Sequence, residues 1–139
     1  MYFSKIAFYC LYSSSAYFIN NYDKIELYKN LALDYYHIDD IEQSISFSKK
    51  ILNIEKFNDW SLKHLIKLYK ENNDWSNATG YLKILFKINN NMSYTKLGLY
   101  KIQEGRILLK DKNFDSARKA FEDALDLEGS LNICYYFLG

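Results

Sequence analysis

A chain of 139 residues with 49% hydrophobic and 25% charged side chains is long enough to bury a core and too apolar to stay disordered. The formal net charge of +1 supplies no field for steering onto nucleic acid, and no block of like charges marks an interaction tail. Proline is absent and there are only five glycines, which favours uninterrupted helices over a sheet rich in tight turns.

In chain order, Met1 to Phe18 is aromatic and apolar but carries Lys5 and the run Ser13-Ser14-Ser15. It is too short and polar to cross a membrane and lacks the small-residue cleavage site of a signal peptide, so it reads as a core helix, with no membrane insertion expected in this chain. Cys10 and Cys134 stand far apart, with no spacing that makes a zinc or redox pair; they read as two buried thiols in a reducing, cytoplasmic compartment. Asp39 and Asp40 precede an apolar-periodic stretch and suit the mouth of a helix. Between Leu62 and Phe86, apolar Leu65, Ile66, Leu68 and Tyr69 are followed by polar Glu71-Asn72-Asn73-Asp74, then by Trp75, Ala78, Leu82 and Leu85. Two amphipathic helices joined by a tight turn require that pattern. The run Asn89-Asn90-Asn91-Met92-Ser93 predicts another turn, with Ser93 capping the helix that carries Gly105.

The hairpin's landmarks recur. Ala32, Ile66, Gly105 and Gly139 are spaced by 34, 39 and 34 residues, and twelve positions after the first three of these stand Ser44, Ala78 and Ala117. Three before those stand Ile41, Trp75 and Phe114. A 34-residue helix-turn-helix period resembles tetratricopeptide repeats. The third repeat matches that pattern best, with Gly105, Leu108, Phe114, Ala117, Phe121 and Ala124; the second has Ile66, Tyr69, Trp75, Ala78, Leu82 and Leu85, and the first Ala32, Tyr35, Ile41, Ser44, Ser48 and Ile51. Small residues would let the paired backbones approach while the large ones fill the facing holes, so Trp75→Ala is expected to cost about 3–5 kcal/mol.

The resemblance implies an all-α, right-handed superhelical solenoid. Its expected layout is a single array over residues 1–139: a partial repeat at 1–21, repeats at about 24–56, 58–91 and 94–129, and the start of a further repeat at 130–139. Both ends should then expose apolar surface, Phe3, Phe8 and Tyr12 at one and Ile133, Tyr136 and Phe137 at the other, inviting self-association.

Leu31-Ala32-Leu33-Asp34-Tyr35, the helix ending in Tyr69 and the segment Asp74-Trp75-Ser76-Asn77-Ala78 are similar to the repeats of the lipopolysaccharide assembly protein B family. That resemblance implies a cytoplasmic adaptor, at the inner membrane when part of a longer anchored protein, linking the lipid A deacetylase to a membrane AAA protease and so limiting lipopolysaccharide synthesis. The family's rubredoxin-like metal module has no counterpart in this chain, so no metal ligand carries over. Where the family tends to have histidine and cysteine on the first helix of the third repeat, this chain has Leu99 and Ile102.

First helices of such repeats line a concave face. By register that face takes Glu26, Lys29, Leu33, Tyr36 and His37, then Trp60, Lys63, Lys67, Lys70 and Glu71, then Leu99, Ile102, Arg106, Leu109 and Lys110. The expected protein-binding set is Lys29, Tyr36, Trp60, Lys63, Lys67, Lys70, Arg106 and Lys110, suited to an acidic, aromatic-containing peptide or helix. The alternative is that these lysines are the solvated side of amphipathic helices and the chain is a structural spacer or self-associating fragment. A carboxylate clamp of the kind found in chaperone-tail-binding tetratricopeptide domains is disfavoured, because its five positions hold Lys29, Leu33, His64, Leu99 and Gln103 and only Lys29 matches. No catalytic, metal or cofactor site is expected: His37 and His64 lack metal-ligand spacing, Ser13 to Ser15 lack a glycine elbow, and no glycine-rich phosphate loop exists.

Overall fold

The computed structural model describes residues 20–128 and 133–139. Among the described residues there are seven helices and no strand: α1 (Asn21–His37), α2 (Ile41–Ile54), α3 (Asp59–Glu71), α4 (Trp75–Ile88), α5 (Tyr94–Lys110), α6 (Phe114–Leu127) and α7 (Ile133–Leu138). The chain divides into two compact units, Met1–Leu68 and Tyr69–Gly139, with the division inside α3. The expected partial repeat at 1–21, with Phe3, Phe8, Tyr12 and Cys10, lies almost wholly outside the described residues.

One turn is used three times. Before α2, α4 and α6 the chain places a residue at positive φ, Asp39 (65°), Asn73 (58°) and Lys112 (58°), followed at once by an Asx cap. The carbonyl five residues back receives the cap's own N–H: Asp40 donates to Tyr35 (2.9 Å), Asp74 to Tyr69 (2.8 Å) and Asn113 to Leu108 (2.9 Å). The positive-φ residue closes the inner bond, as where Asp39 N–H donates to the Tyr36 carbonyl (3.1 Å), which completes a Schellman ending. Each cap side chain then accepts the N–H three residues on: Asp40 Oδ1 from Gln43 (3.1 Å), Asp74 Oδ1 from Asn77 (3.1 Å) and Asn113 Oδ1 from Ser116 (3.4 Å). Of the two aspartates expected at the mouth of α2, Asp40 is therefore the cap and Asp39 the left-handed turn residue. Ser93 caps α5, its Oγ accepting from Lys96 N–H (3.3 Å), and Asn90 (φ 48°) makes the turn before it.

The core of the first unit is partly polar. Leu31, Ala32, Ile51, Leu62 and Leu65 are buried together with Ser44, Ser48 and Ser61. Each serine hydroxyl donates to a backbone carbonyl, Ser44 to Ala32 (2.7 Å), Ser48 to Ser44 (2.8 Å) and Ser61 to Ser48 (2.6 Å), so three buried O–H groups are satisfied and α1, α2 and α3 are stitched to one another. Beside this seam Phe47 stacks on Tyr35, ring centroids 5.5 Å apart.

The second unit has an apolar core: Ile102, Ala117, Phe121, Ala124 and Cys134, with Leu108, Leu109, Leu125, Phe137 and Leu138 against it. Gly105 makes this packing possible, because a Cβ there would lie 2.6 Å from Cε1 of Phe121. That ring has nowhere to go, being buried and stacked on Phe137 with centroids 4.9 Å apart. Gly80, in the middle of α4, is the opposite case: a Cβ would meet nothing within 4 Å. It gives up about 1 kcal/mol of helix stability relative to alanine with no packing among the described residues in return.

Four expectations about side chains need correction. Phe114 is 66% exposed rather than packed in a hole, since it is the first residue of α6 and its side chain leans back over the turn. Ile102 and Leu109 turn into the second core instead of lining an open face. Phe137 is half-buried because α7 folds its ring onto Phe121, while Tyr136 stays 82% exposed. Trp75, half-buried and edge-on to Tyr100 at 5.3 Å, should lose only about 2 kcal/mol on Trp75→Ala, below the range for a fully enclosed aromatic.

Gly105→Ala should destabilise the chain by about 1–3 kcal/mol in urea unfolding, since overpacking against a locked ring cannot relax cheaply. Lys112→Gly should stabilise it by roughly 0.5–1 kcal/mol, relieving the strain of a left-handed side-chain-bearing residue. Burial pushes the Cys134 thiol above its ordinary pKa, so in a Cys10→Ser background it should react slowly with a disulfide reagent; Phe137→Ala, which loosens α7, should speed labelling by about tenfold.

Candidate protein-binding site

Residues four and three apart on α3 and seven apart on α1 share faces of their helices, and this spacing brings two sets together in the first unit. From α3 come Trp60, His64 and Lys67; from α1 come Lys29 and Tyr36. The Trp60 and His64 rings stack, centroids 4.7 Å apart and 20° from parallel. His64 meets Tyr36 edge-on at 5.9 Å. Lys29 Nζ sits 5.5 Å from the Trp60 ring centroid, and Lys67 Nζ 4.2 Å from that of Tyr36. The result is a continuous ladder of cation, indole, imidazole, phenol and cation along the α1/α3 face. Ring pairs of this kind contribute about 0.5–1.5 kcal/mol each beyond area burial, and the exposed cation contacts about 0.5–1 kcal/mol.

The ladder is anchored from below by His64, which is buried while Trp60 and Tyr36 are half-exposed. Its Nε2 lies 3.2 Å from Ser44 Oγ. Because the single proton of that hydroxyl is already donated to the Ala32 carbonyl, the contact requires the imidazole to donate through Nε2–H. The contact holds the ring plane on which Trp60 stacks. Ser44 is itself fully buried, so the Ser44–His64 contact lies beneath the surface rather than on it.

The other expected residues are placed differently. Lys63, one step from the ladder, forms an exposed ion pair with Asp59 (2.6 Å). Lys70 belongs to the second unit, where its Nζ lies 5.5 Å from the Tyr100 ring and 6.0 Å from Trp75. Arg106 and Lys110 are exposed on α5, with Arg106 Nη1 donating to Gln103 Oε1 at 3.4 Å. Of the eight residues expected on one face, four are thus brought together around a single ring stack. Leu99 is 46% exposed. His64 and Ser44 were the members that pattern reasoning undervalued, one as a failed clamp position and the other as merely small. The one signal was Ser44, a polar residue where the repeat pattern expects alanine; nothing in the pattern marked His64.

On α5, Lys101 Nζ pairs with Glu104 (2.8 Å) and lies 3.9 Å from Asp123 of α6. Asp34, buried on α1, keeps Oδ2 without a hydrogen-bond partner. Among the described residues no group of three or more His, Cys, Asp or Glu side chains is arranged to hold a metal ion.

No protein-family profile matches the sequence, and no characterised protein matches it in sequence. Among solved structures, the N-terminal domain of stress-induced protein-1 (STI-1) from C. elegans superposes with a TM-score of 0.51, covering 86% of this chain and 96% of that one at 13% identity. The fold is of the tetratricopeptide-repeat type. At that identity the likeness carries the architecture alone. For a tetratricopeptide fold the serine seam is a departure, since the repeat pattern puts alanine and a large residue where Ser44 and Ser48 stand, and the departure is what lets His64 be held.

Ser44→Ala should cost about 1–3 kcal/mol, because it removes a buried hydroxyl that bonds both the Ala32 carbonyl and His64 Nε2. In a double-mutant cycle read by urea denaturation, His64→Leu should add much less in the Ser44→Ala background than alone.

Proposed function

We propose that this chain is a protein-interaction scaffold of the tetratricopeptide type that binds an acidic, aromatic-containing protein segment on the α1/α3 face of its first unit. The observation that supports this reading is the Lys29–Trp60–His64–Tyr36–Lys67 ladder. Two half-exposed aromatic rings held rigid from beneath are the kind of anchor that supplies interface energy, and the lysines at its two ends orient a negatively charged partner. An incoming aromatic side chain would extend the ring stack, while carboxylates would take over ammonium groups now resting on ring faces. Lys63, Lys70, Arg106 and Lys110 stay in the proposed protein-binding set as further basic positions, the first two on α3 and the last two on α5.

The finer reading, a cytoplasmic adaptor between the lipid A deacetylase and a membrane AAA protease, rests on the sequence resemblance alone. Among the described residues no helix is long and apolar enough to cross a membrane. A second reading, self-association through the chain's end, is favoured by Tyr135 and Tyr136, exposed by 60% and 82% on α7.

Fluorescence polarisation with glutamate-rich peptides, with and without a central tryptophan or tyrosine, tests the leading proposal. The aromatic peptides should bind better, and Trp60→Ala and Lys67→Glu should each weaken them by about tenfold or more. Equal binding of both peptide types, or indifference to both substitutions, would remove the ladder as the site. A pull-down that recovers the deacetylase or the protease only with intact Trp60 and Lys67 would support the adaptor, whereas a concentration-dependent dimer abolished by Tyr136→Asp would favour self-association.

A further inference from the structure

The Lys29–Trp60–His64–Tyr36–Lys67 ladder has at its centre a side chain that changes charge near neutral pH. His37 and His64 are the only histidines of the chain; His37 is exposed at the end of α1, and His64 is buried among the rings. An ordinary imidazole loses its charge between about pH 5 and 8. The ring's immediate contacts suit the charged form. The Trp60 indole lies against it, centroids 4.7 Å apart and 20° from parallel, and an aromatic face attracts a cation. Ser44 of α2 accepts from Nε2 at 3.2 Å, and it accepts equally from imidazole and imidazolium, so a second ring proton leaves that bond in place.

The wider setting opposes the charge. His64 is only 8% exposed, which strips away the water that stabilises a cation. Lys29 of α1 lies 5.5 Å from the Trp60 ring and Lys67 of α3 lies 4.2 Å from that of Tyr36, so an ammonium group stands one ring away on either side. Like charges nearby disfavour protonation. From α1 the ring also meets the Tyr36 phenol edge-on at 5.9 Å, while α2 faces it with the uncharged Ser44. Two carboxylates border the ladder, Glu26 beside Lys29 (3.8 Å) and Asp59 beside Lys63 (2.6 Å), and both reach solvent, where their fields are screened. An acidic segment seated on the ladder changes one of these conditions and not the other. Its carboxylates offset the lysine charges, whereas the ring is already so buried that the partner adds little desolvation. The balance then tips toward imidazolium.

We infer that an acidic segment bound on the α1/α3 ladder drives a proton onto His64, so that this face holds its partner more tightly at about pH 6 than at about pH 8. The inference rests on the ladder being the binding site, and it adds the regulation of that site. By linkage, the proton strengthens the partner's binding by the same factor as the partner strengthens the proton's.

The test repeats fluorescence polarisation on the full chain with the glutamate-rich, tryptophan-containing peptide between about pH 6 and 8, a range in which glutamate stays ionised. Affinity should rise by about threefold to tenfold toward the acid end, and calorimetric titration in buffers of different ionisation enthalpy should show net proton uptake. His64→Gln, which keeps an N–H donor for Ser44 but cannot take a proton, should flatten both dependences. In the wild-type chain the His64 ring-proton NMR signal should titrate at higher pH with the peptide bound than without it. Should His64→Gln lose helix by circular dichroism, that NMR comparison decides alone. Binding that needs Trp60 yet is indifferent to pH, or tightens toward the alkaline end, would overturn the inference and leave the ladder standing. A pH dependence that survives in His64→Gln would pass the proton to His37 or another group and overturn it too. Binding indifferent to Trp60→Ala at every pH would remove the ladder itself, and this inference with it.

Discussion

A helix that stops and restarts within three residues leaves carbonyls and amides unpaired at both of its junctions, and the rest of this structure depends on how they are satisfied. The same device serves before α2, α4 and α6: a left-handed residue turns the last carbonyls onto two N–H groups, and the Asx residue after it caps the next helix. Because the turn is so short, the direction of the following helix is set by the backbone before any side chain packs. Antiparallel neighbours result, and within each of the hairpins α1/α2 and α5/α6 the two helices turn their inner faces to one another.

What fills those inner faces differs between the units. Around α5 and α6 the rule is close approach: Gly105 gives up its side chain so that Phe121 can lie against the α5 backbone, with Phe137 of α7 stacked on the same ring. Around α1 and α2 the small residues are serines, and each hydroxyl takes a carbonyl from its own or the neighbouring helix. Such a seam is directional where an apolar core is not. It also offers Ser44 Oγ as a buried acceptor, which holds His64, and through the His64 ring the aromatic face above it. Surface recognition and core polarity are thereby coupled in the first unit through one imidazole.

The lysines of the α1/α3 face show why a row of charges read along a helix is not yet a binding surface. Lys29 and Lys67 lie over rings, and Lys63 lies on Asp59. Their ammonium groups cover aromatic faces, so that binding a carboxylate means exchanging one favourable contact for another. Affinity on such a face comes from the rings, and charge supplies orientation.

The sequence by itself determined the all-helical class, the hairpin turns and the small residue facing a large one, because these follow from local rules: the 3.6-residue period of apolar positions, the preference of Asx for caps and the steric demand at Gly105. It also picked out Lys29, Tyr36, Trp60 and Lys67 as sharing a face, since a helical register is enough for that. Only the tertiary structure decided which of these touch, that Lys70 serves a different aromatic cluster, and that Ile102 and Leu109 turn inward. The exposure of Phe114 was likewise illegible, because the same residue at a helix mouth packs or projects according to what lies across the turn. Above all, the role of His64 was set by a hydroxyl twenty residues away whose proton another helix had already taken. Such a constraint exists only once three helices meet, and no periodicity in the chain encodes it.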